Sequence, residues 1–372
     1  MNFSAALTAC LKLNSSNRYA DNNWAWYHIG RRQALYLDIL GLESMTKEEE
    51  RHTLEEAEKS VPGMVEAMAP LYERLADIPS RETLVLVAAY RLLGRRHVKF
   101  PYYGEGNIHT REMLAVRTRM PDPADLAPLL GTLRGEWGEF LACYNLYATR
   151  RNLVVITTPE TLFMEQQRLA YQYRHGAVRI GVGPGDVVID CGAGLGDQAV
   201  FFAEAAGPEG FVAALEPHPV NSKACYENMR RNPCLRGRMM VIPAGAWSKD
   251  ATLELALKGG GSSLDALTTE RAQPDLKRST VRCRAIDAVA SDLPRSDISF
   301  IKMDIEGAEI EALRGATATI ERHSPKLALS IYHDLAHFRD IPAAIDAIRP
   351  GYRLYLGHQS MDFADTVLYA AA

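Results

Sequence analysis

The sequence predicts an α/β fold, a Rossmann-like sheet of seven strands with the last one antiparallel, preceded by a mainly helical N-terminal domain. Three observations carry this reading. Residues 186–216 run strand, glycine turn, helix, strand, in the order of a nucleotide-binding βαβ half. Later apolar runs of strand length turn polar where they end, at 298–307 (ISFIKMDIEG) and 326–333 (KLALSIYH). The first 150 or so residues hold charged and apolar helix-forming stretches but no strand–helix alternation.

Composition narrows the function classes. The chain has 372 residues, enough for two domains: residues 1–150, helical, for covering the substrate or for oligomerisation, and residues 151–372, binding the cofactor. A net charge of −4 gives no electrostatic case for nucleic acid, and no apolar run reaches the ~20 residues of a membrane span. Six cysteines without C-x-x-C or zinc spacing, and an N-terminus (MNFSAALTACLKL) without a basic region, lead us to expect a cytoplasmic protein without a signal peptide. A homodimer contact is an open role for the N-terminal domain.

The elements follow in order. Thr46 and Glu49 form a capping-box pattern that predicts a helix over 46–59, and Ser80 with Thr83 opens a second, buried helix that Gly94 ends. The aromatic cluster 22–28 (NNWAWYH) suits a domain's packing edge or a substrate cleft. Residues 101–106 and 121–123 are loops, 152–156 a short strand, and 161–173 a helix leading into the sheet, from which Gln167, Tyr171 or Gln172 could touch a ligand. After 187–191 and 211–215 come a helix to about 231, a third strand with its exit loop over 238–247, and two half-buried strands at 252–257 and 280–286. The loop 259–263 (GGGSS) between them reads as a lid or a flexible connection. Strand 298–303, a helix over 308–323, strand 326–333, a helix over 342–348 and a hairpin of 352–358 and 365–370 complete the chain.

The glycine turn sets the ligand class. A dinucleotide site wants G-x-G-x-x-G, leaving bare helix N–H groups for a pyrophosphate. Here the last position is Asp197, whose carboxylate repels phosphate, while Asp190 and Asp197 suit the ammonium and sulfonium of S-adenosylmethionine. Glu216, ending the second strand, suits a ribose diol, and Trp247 near a strand end could stack on adenine. The alternatives are an NAD-type Rossmann oxidoreductase and a non-catalytic nucleotide-binding module; the polar strand ends favour an enzyme.

The segments VVIDCGAGLGD (187–197), LEPHPVN (215–221), IKMDIEGAEIEALRG (301–315), PKLALSIYHD (325–334) and DTVLYA (365–370) resemble the FkbM family of S-adenosylmethionine-dependent methyltransferases, over roughly residues 150–372. The resemblance implies a class I methyltransferase sheet and a cofactor site at Asp190, Gly192, Gly194, Asp197, Glu216 and Asn221, with Ala246 and Trp247 beside the adenine. It implies a substrate side built by Lys302, Asp304, Glu306 and His333, and O-methyl transfer to a hydroxyl of a sugar, a polysaccharide or glycolipid, or a natural product, leaving S-adenosylhomocysteine. His333 is the expected general base, with Asp304 orienting it or the acceptor. Asp304, Glu306, His333, Asp334 and His337 could also ligate a divalent metal, a reading not favoured; His333 and His337 would share a helical face only if a helix began there.

Overall fold

The computed structural model describes residues 1–15, 47–94, 97–98, 100, 118–138, 140–146, 153–159, 161–162, 171–257, 263–264, 277–360 and 364–372. The expectations placed on 22–28, 101–106, 259–262 and Gln167 fall outside these residues. The chain divides into two units: 1–110 with 331–342 and 353–368, and 111–330 with 343–352 and 369–372.

In the first unit three helices, α1 (Phe3–Asn14), α2 (Lys47–Arg74) and α3 (Ile78–Leu93), pack on one another. Phe3, Leu7 and Leu11 recur at four-residue spacing and are buried, so α1 presents one apolar face. The helix expected over 46–59 runs on to Arg74, through Pro62 and Pro70. Burial of Met64, Ala67, Met68 and Leu71 outweighs the two lost backbone hydrogen bonds. The start expected at Ser80 lies earlier: Asp77 is the cap, its carboxylate accepting from Ser80 N at 3.0 Å. The Ser80 hydroxyl instead accepts from Leu356 N at 2.9 Å. Gly94 ends α3 as expected, at φ 78°.

The second unit holds α4 (Ala127–Trp137), the antiparallel pair β1 (Ala142–Asn145) and β2 (Val154–Thr157), and the short hairpin β3 (Tyr173–His175) and β4 (Val178–Ile180). Of the helix expected over 161–173, residues 163–170 lie outside the described residues; Tyr173 begins a strand instead, and Tyr171 sits at φ 49°. There follow β5 (Val187–Cys191), α5 (Asp197–Ala206), β6 (Phe211–Leu215), α6 (Pro219–Arg230) and β7 (Met239–Ile242). Next are β8 (Gly245–Trp247), β9 (Ala251–Ala256), β10 (Ser263–Leu264), β11 (Arg278–Ala285) and α7 (Ile286–Asp292). The chain ends with β12 (Ile298–Met303), α8 (Glu309–Arg314), α9 (Thr317–His323) and β13 (Lys326–Ser330) of this unit, then α10 (His337–Ile348), divided between the units, β14 (Arg353–His358), which belongs to the first, and β15 (Thr366–Ala371), again divided.

The main sheet has seven strands in the order β14-β15-β13-β12-β5-β6-β7. β5 pairs in parallel with β6 on one side and β12 on the other, so the chain reverses its direction of progress across the sheet at β5. Ligands of open α/β sheets bind outside the strand ends at such a point. Every residue of β5 and β6 is buried, as their unbroken apolar runs require.

Two expected elements divide and one stops short. The run 238–247 splits into β7 and β8, because Pro243 between them has no N–H to continue a ladder. β8 joins a separate sheet of order β10-β9-β11-β8, which also takes the two half-buried strands. The helix expected over 308–323 breaks into α8 and α9 at Gly315, where a Cβ would lie 2.1 Å from the Trp247 carbonyl oxygen. β13 stops at Ser330, and α10 begins at His337 rather than 342 because the Asp334 carboxylate accepts from Ala336 N at 2.8 Å and turns the chain.

Candidate cofactor and active site

The site grows from the register of two parallel strands. β12 pairs with β5 so that Lys302 lies opposite Asp190 and Met303 opposite Cys191. Paired residues share a face of the sheet, and the Lys302 ammonium meets the Asp190 carboxylate at 3.0 Å, both buried. The same ammonium donates to Gly192 O at 2.6 Å, so it ties the glycine turn to the sheet. Burial pushes the Asp190 carboxyl up, against the pull of Lys302. For Lys302, burial works against the charge, but Asp190 and then Asp304 hold the ammonium above its ordinary value.

Asp304 N donates to Cys191 O at 3.1 Å, which brings the exit of β12 against the glycine turn. Gly192, at φ 77°, has no room for a side chain: a Cβ would lie 1.9 Å from the Asp304 carbonyl oxygen. Past Asp304 the chain turns through two left-handed residues, Glu306 (φ 56°) and Gly307 (φ 101°), before α8. Glu309 accepts from Ile305 N at 3.0 Å and closes that turn. The Tyr171 hydroxyl donates to Asp304 Oδ2 at 2.6 Å, and its ring lies 5.0 Å from the Lys302 ammonium.

A cavity at these strand ends is lined by Trp137, Gly192, Gly194, Glu216, Pro217, Asn221, Gly245, Ala246, Leu255, Asp304, Ile305, Glu306 and Ala308. Seven of the twelve residues singled out in the sequence therefore meet in one place: Gly192, Gly194, Glu216, Asn221, Ala246, Asp304 and Glu306. Glu216 is held there by Gly194 N (2.7 Å to Oε2) and His218 N (2.8 Å to Oε1). Burial pushes its carboxyl up to about 7, with those two N–H groups and the Asn221 amide pulling the other way.

Four of the remaining five stand behind the lining rather than in it. Asp190 and Lys302 form the ion pair beneath the glycine turn. Asp197 is buried, accepting from Thr157 Oγ1 at 2.5 Å and from Gln198 N at 2.9 Å, and burial pushes its carboxyl up. Trp247 lies next to Ala246 on β8, and neighbouring strand residues point to opposite faces. It packs with Leu255, Val281, Cys283 and Ala308, so Ala246 lines the cavity and the indole does not. The fifth, His333, belongs to the first unit and lies in the loop after β13. α10 begins at His337, so His333 and His337 do not share a helical face.

Trp137 escaped the sequence reading. It ends α4, ahead of the Rossmann-like half, and its indole N–H donates to Asn221 Oδ1 at 3.0 Å across 84 residues. Only the flanking Gly135 and Gly138 mark it locally, and neither points to a ligand.

The residues fit a phosphate-free nucleoside. The first N–H groups of α5, where a pyrophosphate would sit, already face the buried Asp197 carboxylate. Lys302, the buried ammonium nearest the turn, is taken by Asp190 and Gly192 O. Glu216 offers carboxylate oxygens to a diol at the end of β6.

The methyltransferase FkbM domain model matches residues 190–354. Similar solved structures include a methyltransferase FkbM from Methylobacillus flagellatus KT, at 23% identity and a TM-score of 0.49, covering 86% of this chain and 61% of that one. They include Aeropyrum pernix fibrillarin with natively bound S-adenosyl-L-methionine (14% identity, TM-score 0.36, 55% of this chain and 74% of that one). A SAM-dependent O-methyltransferase from Thermotoga maritima is also similar (12% identity, TM-score 0.32, 61% and 69%). This chain thus spans about three fifths of the Methylobacillus protein's length. No curated protein sequence matches it. Among the described residues no helix is long and apolar enough to cross a membrane. Over residues 190–354 the chain matches the methyltransferase FkbM domain.

Proposed function

We propose that the protein is an O-methyltransferase that acts on a hydroxyl of a sugar, of a polysaccharide or glycolipid, or of a natural-product scaffold. The observation that carries this reading is one cavity in which a diol-accepting carboxylate, Glu216, shares the walls with two further acidic side chains, Asp304 and Glu306. Bound S-adenosylmethionine supplies a methyl group on a sulfonium, open to in-line displacement. The chain's own part is to place and deprotonate the nucleophile, and alignment of this kind can lower a barrier by about 7–11 kcal/mol at best.

Glu216 accepts the ribose hydroxyls, and Gly192 and Gly194 allow the nucleoside close to the backbone. Asp304, fixed by the Tyr171 hydroxyl, accepts from and orients the acceptor hydroxyl. His333 is the proposed base: its neutral imidazole takes the hydroxyl proton as the new C–O bond forms and returns it to solvent. An NAD-type reading loses ground to Asp197, which occupies the helix start that a pyrophosphate needs.

The test is incubation of the full chain with S-adenosylmethionine labelled in its methyl group and a panel of sugars, glycolipids and polyol natural products. Label in a base-stable ether supports the reading, whereas label in a base-labile ester points to a carboxylate acceptor. Tight NADH binding without S-adenosylhomocysteine binding sinks it.

A further inference from the structure

Asn221 stands between the cavity's carboxylate and an aromatic residue that lies outside the family-matched segment. Trp137 is at the C-terminal end of α4, 53 residues before position 190 where the match begins. Its ring lines the cavity beside Gly194, with ring atoms 3.5 and 3.8 Å from where a Gly194 Cβ would be. Its indole N–H donates to Asn221 Oδ1 at 3.0 Å. An amide whose oxygen is taken by an N–H donor presents its NH₂ at the other end, and the Asn221 amide lies close enough to Glu216 to pull its carboxyl down against the larger push of burial. The indole therefore sets which end of Asn221 faces the carboxylate.

The geometry holds Trp137 in place. It packs against the cluster of Leu126, Leu130, Leu133, Leu141, Leu195 and Ala224. Its neighbour Glu136 approaches His218 Nε2 at 3.8 Å. His218 Nδ1 accepts from Val220 N (3.2 Å) and Asn221 N (3.4 Å), which makes the histidine the cap of α6 and leaves Nε2 as the protonated nitrogen of a neutral ring. Two adjacent residues of α4 thus engage His218 and Asn221, the cap and first turn of α6.

We propose that Trp137 is a cofactor-positioning residue: its ring walls the nucleoside end of the cavity, and its N–H, through Asn221, orients Glu216 toward the ribose diol. This rests on the S-adenosylmethionine reading of the site. It makes a helix ahead of the family-matched segment part of the cofactor site.

The experiment is calorimetric titration of the full chain with S-adenosylhomocysteine from pH 6 to 8.5, for wild type, Trp137→Phe, Trp137→Ala, Glu216→Gln and the Trp137→Phe/Glu216→Gln pair. Trp137→Phe keeps the ring and removes the donor, so affinity falls about 3- to 10-fold, the worth of one net hydrogen bond. Trp137→Ala, if it folds, falls about 10- to 100-fold with the lost ring contact. Two readouts separate positioning from simple packing. In Trp137→Phe the pH midpoint of binding moves upward, because a carboxylate that loses a donor holds its proton more tightly. In the Glu216→Gln background the Trp137→Phe loss shrinks to under about twofold, because the two residues act as one unit.

Wild-type affinity and an unmoved midpoint in Trp137→Phe overturn the proposal, as does an undiminished loss in the double variant. In both cases wild type still binds S-adenosylhomocysteine, so the cofactor reading stands. A wild type that binds none at any pH overturns that reading and this proposal together.

Discussion

Glu216 gives the sharpest test of the site, because its carboxyl is pushed up to about 7 by burial while its expected work requires the ionised form. A rise from the ordinary 4.5 to about 7 costs the folded, ionised carboxylate about 3 kcal/mol, at about 1.4 kcal/mol per pH unit. The folded state holds the proton more tightly than the unfolded chain. This group's penalty is therefore absent below pH 4.5, grows as pH rises toward 7 and is complete above it. Binding runs the other way. If only the carboxylate accepts the ribose hydroxyls, the ionised fraction sets the apparent affinity for S-adenosylhomocysteine. With a midpoint near 7, affinity falls about tenfold from pH 8 to pH 6. Calorimetry in several buffers reads both the affinity and the proton released on binding. Glu216→Gln should flatten the profile and weaken binding by about 10- to 100-fold, the scale of a hydrogen bond to a charged acceptor. Its amide NH₂ must also face Gly194 N or His218 N, each of which now donates to a carboxylate oxygen. A flat wild-type profile, or wild-type affinity in Glu216→Gln, refutes the reasoning.

Three further predictions concern other residues. His333→Ala should lower kcat by about 10²–10⁴-fold with S-adenosylhomocysteine affinity nearly unchanged, and unchanged turnover removes His333 as base. Lys302→Met leaves Asp190 buried without its partner and should cost about 3–5 kcal/mol in urea denaturation, much of it recovered by adding Asp190→Asn. Gly192→Ala drives a Cβ into the Asp304 carbonyl and forces a non-glycine residue to φ 77°, so a loss of about 3 kcal/mol or more should appear as a lowered Tm.

The βαβ half was legible because its signals are local. The apolar run ending at Asp190, the glycine turn and the acid ending β6 lie within 31 residues, each fixed by strand burial or backbone geometry. Helix ends were less legible, since Asp77 and Asp334 cap through contacts two or three residues away that compete with other polar candidates nearby. The Asp190 partner of Lys302 was hidden for another reason. A lysine at a strand exit looks open to substrate, but only the β5–β12 register shows that Asp190 lies opposite it. The Trp247 and Ala246 assignments turned on the same kind of information, because face alternation fixes which of two neighbours lines a cavity only once the strand's sheet is known.

What lay beyond the sequence is the way the segment before 190 is bound to the rest of its unit. Asn228 accepts from Ile156 N (2.7 Å) and donates to Ile156 O (2.9 Å) and Leu195 O (2.8 Å). Asn232 does the same with Val154 N and O, both at 2.8 Å. Two amides four residues apart thus mimic a partner strand for alternate residues of β2, satisfying backbone groups across 72 and 78 residues. β2 then delivers the Thr157 hydroxyl to Asp197, while α4 delivers the Trp137 indole to Asn221. The pieces ahead of the glycine turn therefore touch two of the acidic site's polar anchors. Three carboxyl groups, on Asp190, Asp197 and Glu216, are buried there with Lys302 as the ammonium that offsets all three, and burial pushes each carboxyl up. Among the described residues these three carboxyls share one buried ammonium, which disfavours phosphate and favours a cationic ligand, so the electrostatics favour a sulfonium nucleoside over a dinucleotide.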